Sequence, residues 1–401
     1  MHRRTLIAAG ATALLAPVSA RADDLVLPPE LPDGTKQIVR PANPPGKTRL
    51  LRLTDRPPNY ATPTDVFGET ITPNDRFFVR YHIDAVPPPP PIDDWVLTIG
   101  GDAAVQDTRL RWNDLLDLPQ IGVPAVCQCA GNRRGLSVPH VAGVQWGDGA
   151  MGCAEWRGPR LSEVLLAARI KPGAVEVYAG GADMPPVPGP PAFRKSIPLA
   201  KAMDDDTIIA LTMNGAPLPL LNGYPARLVV PGWTGGYWVK HLNSIEISAT
   251  PLANLWMKTD GRVPAGLFPV RQPFASQASD NTVPVAEMVV NSIIAEPVEG
   301  GEVERSGFTV SGVAWDRGTG IRRVEVSLDG GKTWLDALLD PPLGPYAFRR
   351  FSLDTDFMRR GQYRLVSRAT NNDGERQPDV LKANPGGYQN NVPRGISVTV
   401  I

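Results

Sequence analysis

Apolar and polar residues change rhythm along this chain, and the changes divide it. Leu6–Ala16 is a continuous apolar run behind Arg3 and Arg4. From Asp23 to Pro63 prolines interrupt every candidate period, which predicts an extended arm lying over the first domain. Phe77, Val79 and Tyr81 then alternate with Phe78, Arg80 and His82. That period of two predicts a strand and puts Arg80 and His82 on one face. Trp95–Gly100, Val175–Tyr178 and Ile208–Thr212 predict further strands, and Trp112–Leu118 and Leu161–Ala168 predict short helices. Leu228–Val230 is an apolar strand that runs into a Gly-rich loop and a basic strand. The polar, turn-forming block Gln272–Asn281 marks a boundary at Ala278–Asn281.

Beyond Val285 only short alternating runs remain. They are Phe308–Val313, Ile321–Leu328, Thr333–Leu339 and Gln362–Ala369, separated by turns such as Asp329–Trp334. About seven strands in roughly 115 residues is the density of an immunoglobulin-like sandwich. The fold class expected is α+β: a mixed α/β domain over 64–277, followed by an all-β sandwich over 278–401.

Composition sharpens this outline without changing it. The chain has 401 residues, enough for two or three cores, with 42% apolar and 20% charged residues, as in ordinary globular proteins. Lys and Arg total 41 against 41 Asp and Glu, so no global field favours nucleic acid or an acidic membrane. The 43 prolines and 39 glycines point to short strands and many turns, not a helical bundle. The leading apolar run is too short to span a bilayer. With Ala20-Arg21-Ala22 behind it, 1–22 reads as an export signal, and the paired arginines suggest the twin-arginine route to the periplasm. The ordinary secretory route is the alternative. Residues 23–63 form the arm, and no membrane span is expected in the mature chain.

Three cysteines do not make a disulfide framework. Cys127 and Cys153 are expected as small buried apolar residues, with a bridge from Cys153 to Cys127 or Cys129 as the bland alternative. Cys129 is different, because Arg133 and Arg134 follow it within one tight segment. A thiolate is a soft metal ligand, and a guanidinium fork suits an oxyanion. A metal–sulfur bond beside an anionic substrate is the chemistry suggested, whereas the cationic pair Arg80 and His82, taken alone, reads as a solvated strand edge. The block Gly223–Leu242 adds glycines that let backbone amides close on a phosphate, with Arg227, Lys240 and His241 to neutralise it. On physics alone, a β-hairpin with a glycine turn is the favoured reading of this block.

The hexapeptide Cys129–Arg134, the run Trp146–Ala150, the segment Glu155–Gly158 and the strand Phe77–His82 resemble the molybdenum domain of the sulfite oxidase family. The Gly223–Leu242 block resembles that family's pterin-binding segment. Arg368–Asn371 and Asn384–Tyr388 resemble its dimerisation domain. The resemblance implies molybdenum held by one molybdopterin and by Cys129, with Arg227, Lys240 and His241 around the pterin. It implies oxygen-atom transfer that converts sulfite to sulfate, with Arg80, His82, Arg134 and Trp146 forming the substrate pocket. Arg133 is assigned to the fold or the pterin. No C-x-x-C-H haem motif and no dinucleotide fingerprint is present, so electrons are expected to pass to a separate c-type cytochrome. A homodimer through the C-terminal domain, or a heterodimer with a cytochrome subunit, is implied by the same likeness. Two positions depart from the pattern. Gly261 stands where the family usually has tyrosine, and an arginine late in the dimer domain is replaced near Gly386. The first leaves room for another tyrosine to substitute, or for another sulfur compound as substrate, oxidised as in sulfur dehydrogenases or reduced as a sulfoxide.

Overall fold

A computed structural model describes residues 40–185, 191–357 and 359–401. The export segment, the first part of the arm and most of the proline-rich loop after Met184 lie outside the described residues. The described chain is mostly strand with few helices.

The second half of the arm is not a bare extended segment. Arg40–Ala42, Leu50–Asp55 and Pro58–Ala61 form an antiparallel sheet that ends on Val79–Arg80. Leu50, Tyr60 and Ala61 are buried, and these apolar positions, scattered among prolines, hold the sheet to the core. The strand predicted over Phe77–His82 pairs only at Val79 and Arg80. Tyr81 still donates its amide to Pro58 O at 3.2 Å, after which the chain bends off the sheet edge.

Two larger sheets, with the antiparallel pair Ile208–Ala210 and Arg227–Val229 beside them, build the rest of the first half. One runs in the order Arg194–Pro198, Glu176–Gly181, Leu242–Ser248, Val96–Gly100, Thr108–Arg111, with its single parallel pair between Leu242–Ser248 and Val96–Gly100. The other is dominated by Gln120–Gln128 against Met151–Pro159, in antiparallel register from Gln120↔Pro159 to Gln128↔Met151. Val123, Ala125, Val126, Cys127 and Gln128 are all buried, so the strand that leads to Cys129 lacks the alternation of a half-exposed one. The helices are brief: Trp112–Leu116, Leu161–Leu166, Leu199–Ala202 and Leu255–Lys258. Both predicted helices exist but stop two residues short. Trp146, Trp156, Trp233 and Trp238 anchor the core they cover, and truncating one such side chain costs about 3–5 kcal/mol.

After the hairpin of Arg262–Pro264 with Thr282–Pro284, the chain is all β. One sheet has the order Asn291–Glu296, Phe308–Trp315, Arg349–Thr355, Leu338–Leu339. The other has Glu302–Val303, Gly395–Val400, Gly361–Asn371, Ile321–Ser327, Leu335–Asp336. Val310, Val324, Phe351, Leu365 and Val398 fill the space between them. Asp329–Trp334 is the expected turn, since Glu325 and Asp336 pair across it.

A separate apolar cluster joins the halves. Phe67, Val126, Met151 and Cys153 pack with Met288, Ile293, Val313, Trp315 and Phe348. Trp315 donates its indole N–H to Gln128 Oε1 at 2.6 Å, and Val126 N reaches Tyr346 O at 2.8 Å. The second half therefore braces the end of the strand from which Cys129 emerges. Among the described residues no helix is long and apolar enough to cross a membrane.

Candidate active site

Cys129 leaves the strand Gln120–Gln128 at its last rung, where its amide donates to Ala150 O at 2.9 Å. Its carbonyl accepts from Asn132 N at 2.9 Å, and Asn132 Oδ1 accepts from Ala150 N at 2.9 Å. The loop is thus tied to 146–150, and Arg133 takes a left-handed φ of 64° to turn within it. That turn sends the two arginines apart. Arg133 is fully buried and points into the second half, donating to Asp148 Oδ1 at 2.5 Å, Asn291 Oδ1 at 2.7 Å and Ser292 O at 2.8 Å. It faces the fold. Arg134 points instead into a cavity of about 450 Å³, whose lining includes Cys129, Arg80, His82, Lys195, Arg227 and Lys240.

Each cation of that cavity is held by neutral groups. Arg134 Nε donates to Gly386 O at 2.7 Å and Nη1 to Val144 O at 3.3 Å. Arg80 donates to Asn59 Oδ1 at 3.3 Å and to Tyr81 O, beside the Cys129 thiol. Arg227 lies against the rings of Trp156 and Trp238 and donates to Asn222 O at 3.1 Å and Trp238 O at 3.3 Å. Lys240 Nζ donates to Arg80 O at 2.9 Å over the Tyr81 ring. Burial pushes Lys240 well below the usual lysine range, with Arg227 and Arg80 adding to the push. Burial likewise lowers Lys195 to about 8. Asp183 and Asp260 are the acidic members of the lining, against five basic side chains including Arg134.

The two histidines differ. His82 lines the cavity, stacked on Phe193 with ring centroids 4.3 Å apart and edge-on to Trp256. Burial first, and then Arg80 and Lys195, hold it far below the usual histidine range, so it is a neutral imidazole. Arg80 and His82 share the cavity although Tyr81 and His82 lie beyond the paired strand. His241 sits one layer behind: its Nε2 meets Tyr81 Oη at 2.7 Å and its Nδ1 meets Tyr224 O at 2.8 Å. The carbonyl accepts only, so Nδ1 carries the proton and Nε2 takes the one from the phenol. Burial lowers His241 to about 3. Trp146 is also behind the wall, fully buried against Phe78, and does not line the cavity.

The remaining site residues carry weak sequence signals. Lys195 follows Phe193 on the inner face of the strand Arg194–Pro198, and Asp183, Asp260 and Tyr388 come from three separate loops. Only Gly261 and Gly386, as departures from an expected pattern, pointed near Asp260 and Tyr388. Cys127 also reaches the lining, where Arg227 Nη2 lies 3.5 Å from its sulfur. Burial pushes its thiol up to about 11 and that of Cys153 to about 12, and all three cysteines are free.

This lining fits a large anionic group with a thiol-bound metal. Arg80 Nε, Arg227 Nε and Tyr237 Oη are buried on it without a hydrogen-bond partner. A Cβ at Gly235 would come within 2.9 Å of Cys127 Sγ, so the glycine keeps the floor open. Buried cations without carboxylate partners cost free energy unless an anion joins them.

Comparison with known proteins accords with that chemistry. Residues 84–256 match the family profile described as oxidoreductase molybdopterin binding domain, and 282–400 match the Mo-co oxidoreductase dimerisation domain. Mitochondrial sulfite oxidase of Homo sapiens is 35% identical over 338 residues, covering 81% of this chain and 61% of that protein. Sulfite oxidase of Gallus gallus is 31% identical over 375 residues, covering 88% of this chain and 78% of that protein. The chain thus spans about three fifths of the human relative's length. Among solved structures, the sulfane dehydrogenase SoxCD of Paracoccus pantotrophus superposes with a TM-score of 0.72 at 30% identity, covering 85% of this chain and 84% of that one.

Proposed function

From membership of the sulfite oxidase family of molybdopterin-binding oxidoreductases, to which this chain belongs, we propose that it oxidises sulfite to sulfate in the periplasm. Electrons leave to a separate c-type cytochrome. The observation that carries the reading is the convergence of Arg80 and Arg134 on one cavity with the Cys129 thiol. The bound molybdenum–molybdopterin group supplies two-electron oxygen-atom transfer. Cys129 is the side chain to ligate the metal. Arg227 and Lys240 are the side chains to hold the pterin and its phosphate, and His241 acts one layer back by fixing Tyr81.

The residues of the pocket then have distinct tasks. Arg80 and Arg134 bind the oxyanion by charge-assisted hydrogen bonds, and their fixed carbonyl partners keep them oriented before it arrives. His82 stays neutral and adds polarity without a further charge. Phe193 and Trp256 exclude water from its ring. Trp146 supports the wall from behind through Phe78. The C-terminal half, read as an immunoglobulin-like sandwich, joins a second copy or a cytochrome subunit.

A second reading has its own support. Gly261 leaves the wall open, since a Cβ there would meet only Lys195 Nζ at 3.1 Å and Val285 Cγ1 at 3.9 Å. The likeness to the sulfane dehydrogenase SoxCD supports a sulfane sulfur compound as substrate. Molybdenum content and cytochrome c reduction, measured with sulfite and with a sulfane sulfur donor in parallel, decide between them. About one metal per chain with sulfite-dependent reduction supports the first reading. Metal with reduction by the sulfane donor alone moves the substrate to the second. Protein that takes up no molybdenum in a host able to make the cofactor overturns both.

A further inference from the structure

An acidic side chain is out of place in a pocket built for an oxyanion, yet Asp260 lines this one. Like charges brought together there would cost affinity. The structure puts a phenol in the way. Tyr388, from the second half of the chain, lines the same cavity and donates its hydroxyl to Asp260 Oδ1 at 3.2 Å. The phenol oxygen in turn accepts from Gly261 N at 3.3 Å. Residue 261 takes a left-handed φ of 69°, a conformation that glycine adopts freely, and in it the amide faces the Tyr388 hydroxyl.

The phenol is held in place from several sides. Tyr388 N donates to Asn384 Oδ1 at 2.9 Å, and Asn384 Nδ2 donates back to Tyr388 O at 2.9 Å. The Arg134 guanidinium lies 5.2 Å from the ring centroid, while its Nε reaches Gly386 O at 2.7 Å. A Cβ on Gly386 would fall 2.1 Å from the Tyr388 ring, and one on Gly387 would fall 2.9 Å from Arg134 Cγ. The glycine pair is what allows ring and guanidinium to pack on this loop.

We infer that Tyr388 is a specificity-determining residue, whose hydroxyl masks the Asp260 carboxylate so that this side of the pocket presents the Arg134 guanidinium and a neutral phenol, not a bare carboxylate, to an incoming oxyanion. The inference rests on the oxyanion-substrate reading. Its ring has a second effect, because Arg134 packs on it, and that effect survives loss of the hydroxyl. A phenylalanine at 388 keeps the ring and exposes the carboxylate.

The test is a double-mutant cycle on purified holoenzyme, read as the calorimetric Kd for sulfate. Tyr388→Phe weakens sulfate binding about tenfold, the scale of one charge-assisted hydrogen bond. Asp260→Asn binds sulfate at least as well as the unaltered protein. In the Asp260→Asn background, adding Tyr388→Phe changes Kd by less than about twofold, because the carboxylate that the Tyr388 hydroxyl masks is gone. An equal penalty in both backgrounds overturns the inference, since the hydroxyl would then act on the anion directly. So does a Tyr388→Phe variant that binds sulfate like the unaltered protein. Molybdenum content and melting temperature of each variant show that the fold and cofactor are intact. If sulfite is not the substrate, turnover is missing in every variant while the sulfate cycle still reports on the mask.

Discussion

Arg80 and Arg134 share a pocket but are held differently, and the difference predicts what their loss does. Arg134 is fixed by Gly386 O, Val144 O and the Tyr388 ring, while Arg80 keeps Nε unpaired in a buried place. Arg80→Gln and Arg134→Gln should each lower kcat/KM for the oxyanion substrate by about 10²–10³, or ~2–4 kcal/mol of transition-state stabilisation. Arg134→Lys should recover little of this, because an ammonium cannot reach the carbonyls and ring that orient the planar fork. Steady-state kinetics at fixed ionic strength checks all three. Cys129→Ser replaces the soft donor and should abolish turnover while melting temperature stays within a few degrees. Cys129 and Arg134 were legible in the chain because one short segment joins a soft donor to guanidinium groups, and Arg80 was legible through the family resemblance of its strand. Lys195, Asp260 and Tyr388 were not, because they meet only through space. Trp146 and His241 read as pocket residues from their segments, yet the structure tucks both behind the wall, since a motif names neighbours in sequence and not which face they turn.

At the scale of elements, the strand Gln120–Gln128 and its loop depend on one buried ion network. Asp148 sits between Arg133, at 2.5 Å, and Arg394 of the last loop. Burial alone would raise its pKa, but Arg394 and Arg133 together outweigh it and hold the carboxyl below the usual range. A group with a depressed folded pKa contributes stability above its unfolded pKa, about 4, and loses it as pH falls through the folded value. Asp148→Asn should therefore cost about 3–5 kcal/mol at pH 7, as removal of one partner leaves buried guanidinium charge. The cost should shrink below pH 4. Chemical denaturation at pH 7 and pH 3.5 measures it. The network was invisible beforehand, as Arg133, Asp148 and Arg394 share no local pattern. Elements themselves were easier: the strands at Trp95–Gly100 and Phe308–Val313 and both helices are present, with ends moved by a few residues. The arm was harder, because prolines hid the apolar positions that make 40–61 a sheet.

At the scale of the whole molecule, buried amines make stability depend on what fills the pocket. Lys47, on Asn222 behind the cavity, is lowered by burial to about 7, and Lys195 to about 8. Between those values and about 10.5 the unfolded chain binds more protons than the folded one, so stability rises with pH across that window. Protein made without the cofactor should gain up to about 3 kcal/mol per lysine from pH 7 to 10. Cofactor-loaded protein should show a flatter curve, since the anionic group favours the charged amines. Melting temperature against pH for both forms checks this. The all-β character beyond Val285 was legible, because the short alternating runs there leave no helical period. The contact between the halves was not.

That contact has a consequence for how the protein is made. The loop bearing Cys129 is closed by residues near the end of the chain: Gln389 N reaches Ala130 O at 2.8 Å and Asn390 Nδ2 reaches Arg133 O at 3.1 Å. During synthesis the thiol and its loop emerge long before these partners do. A nascent or truncated chain thus has the thiol but not the walls that hold its loop, and a segment made late acts as the clasp on a site laid down far earlier.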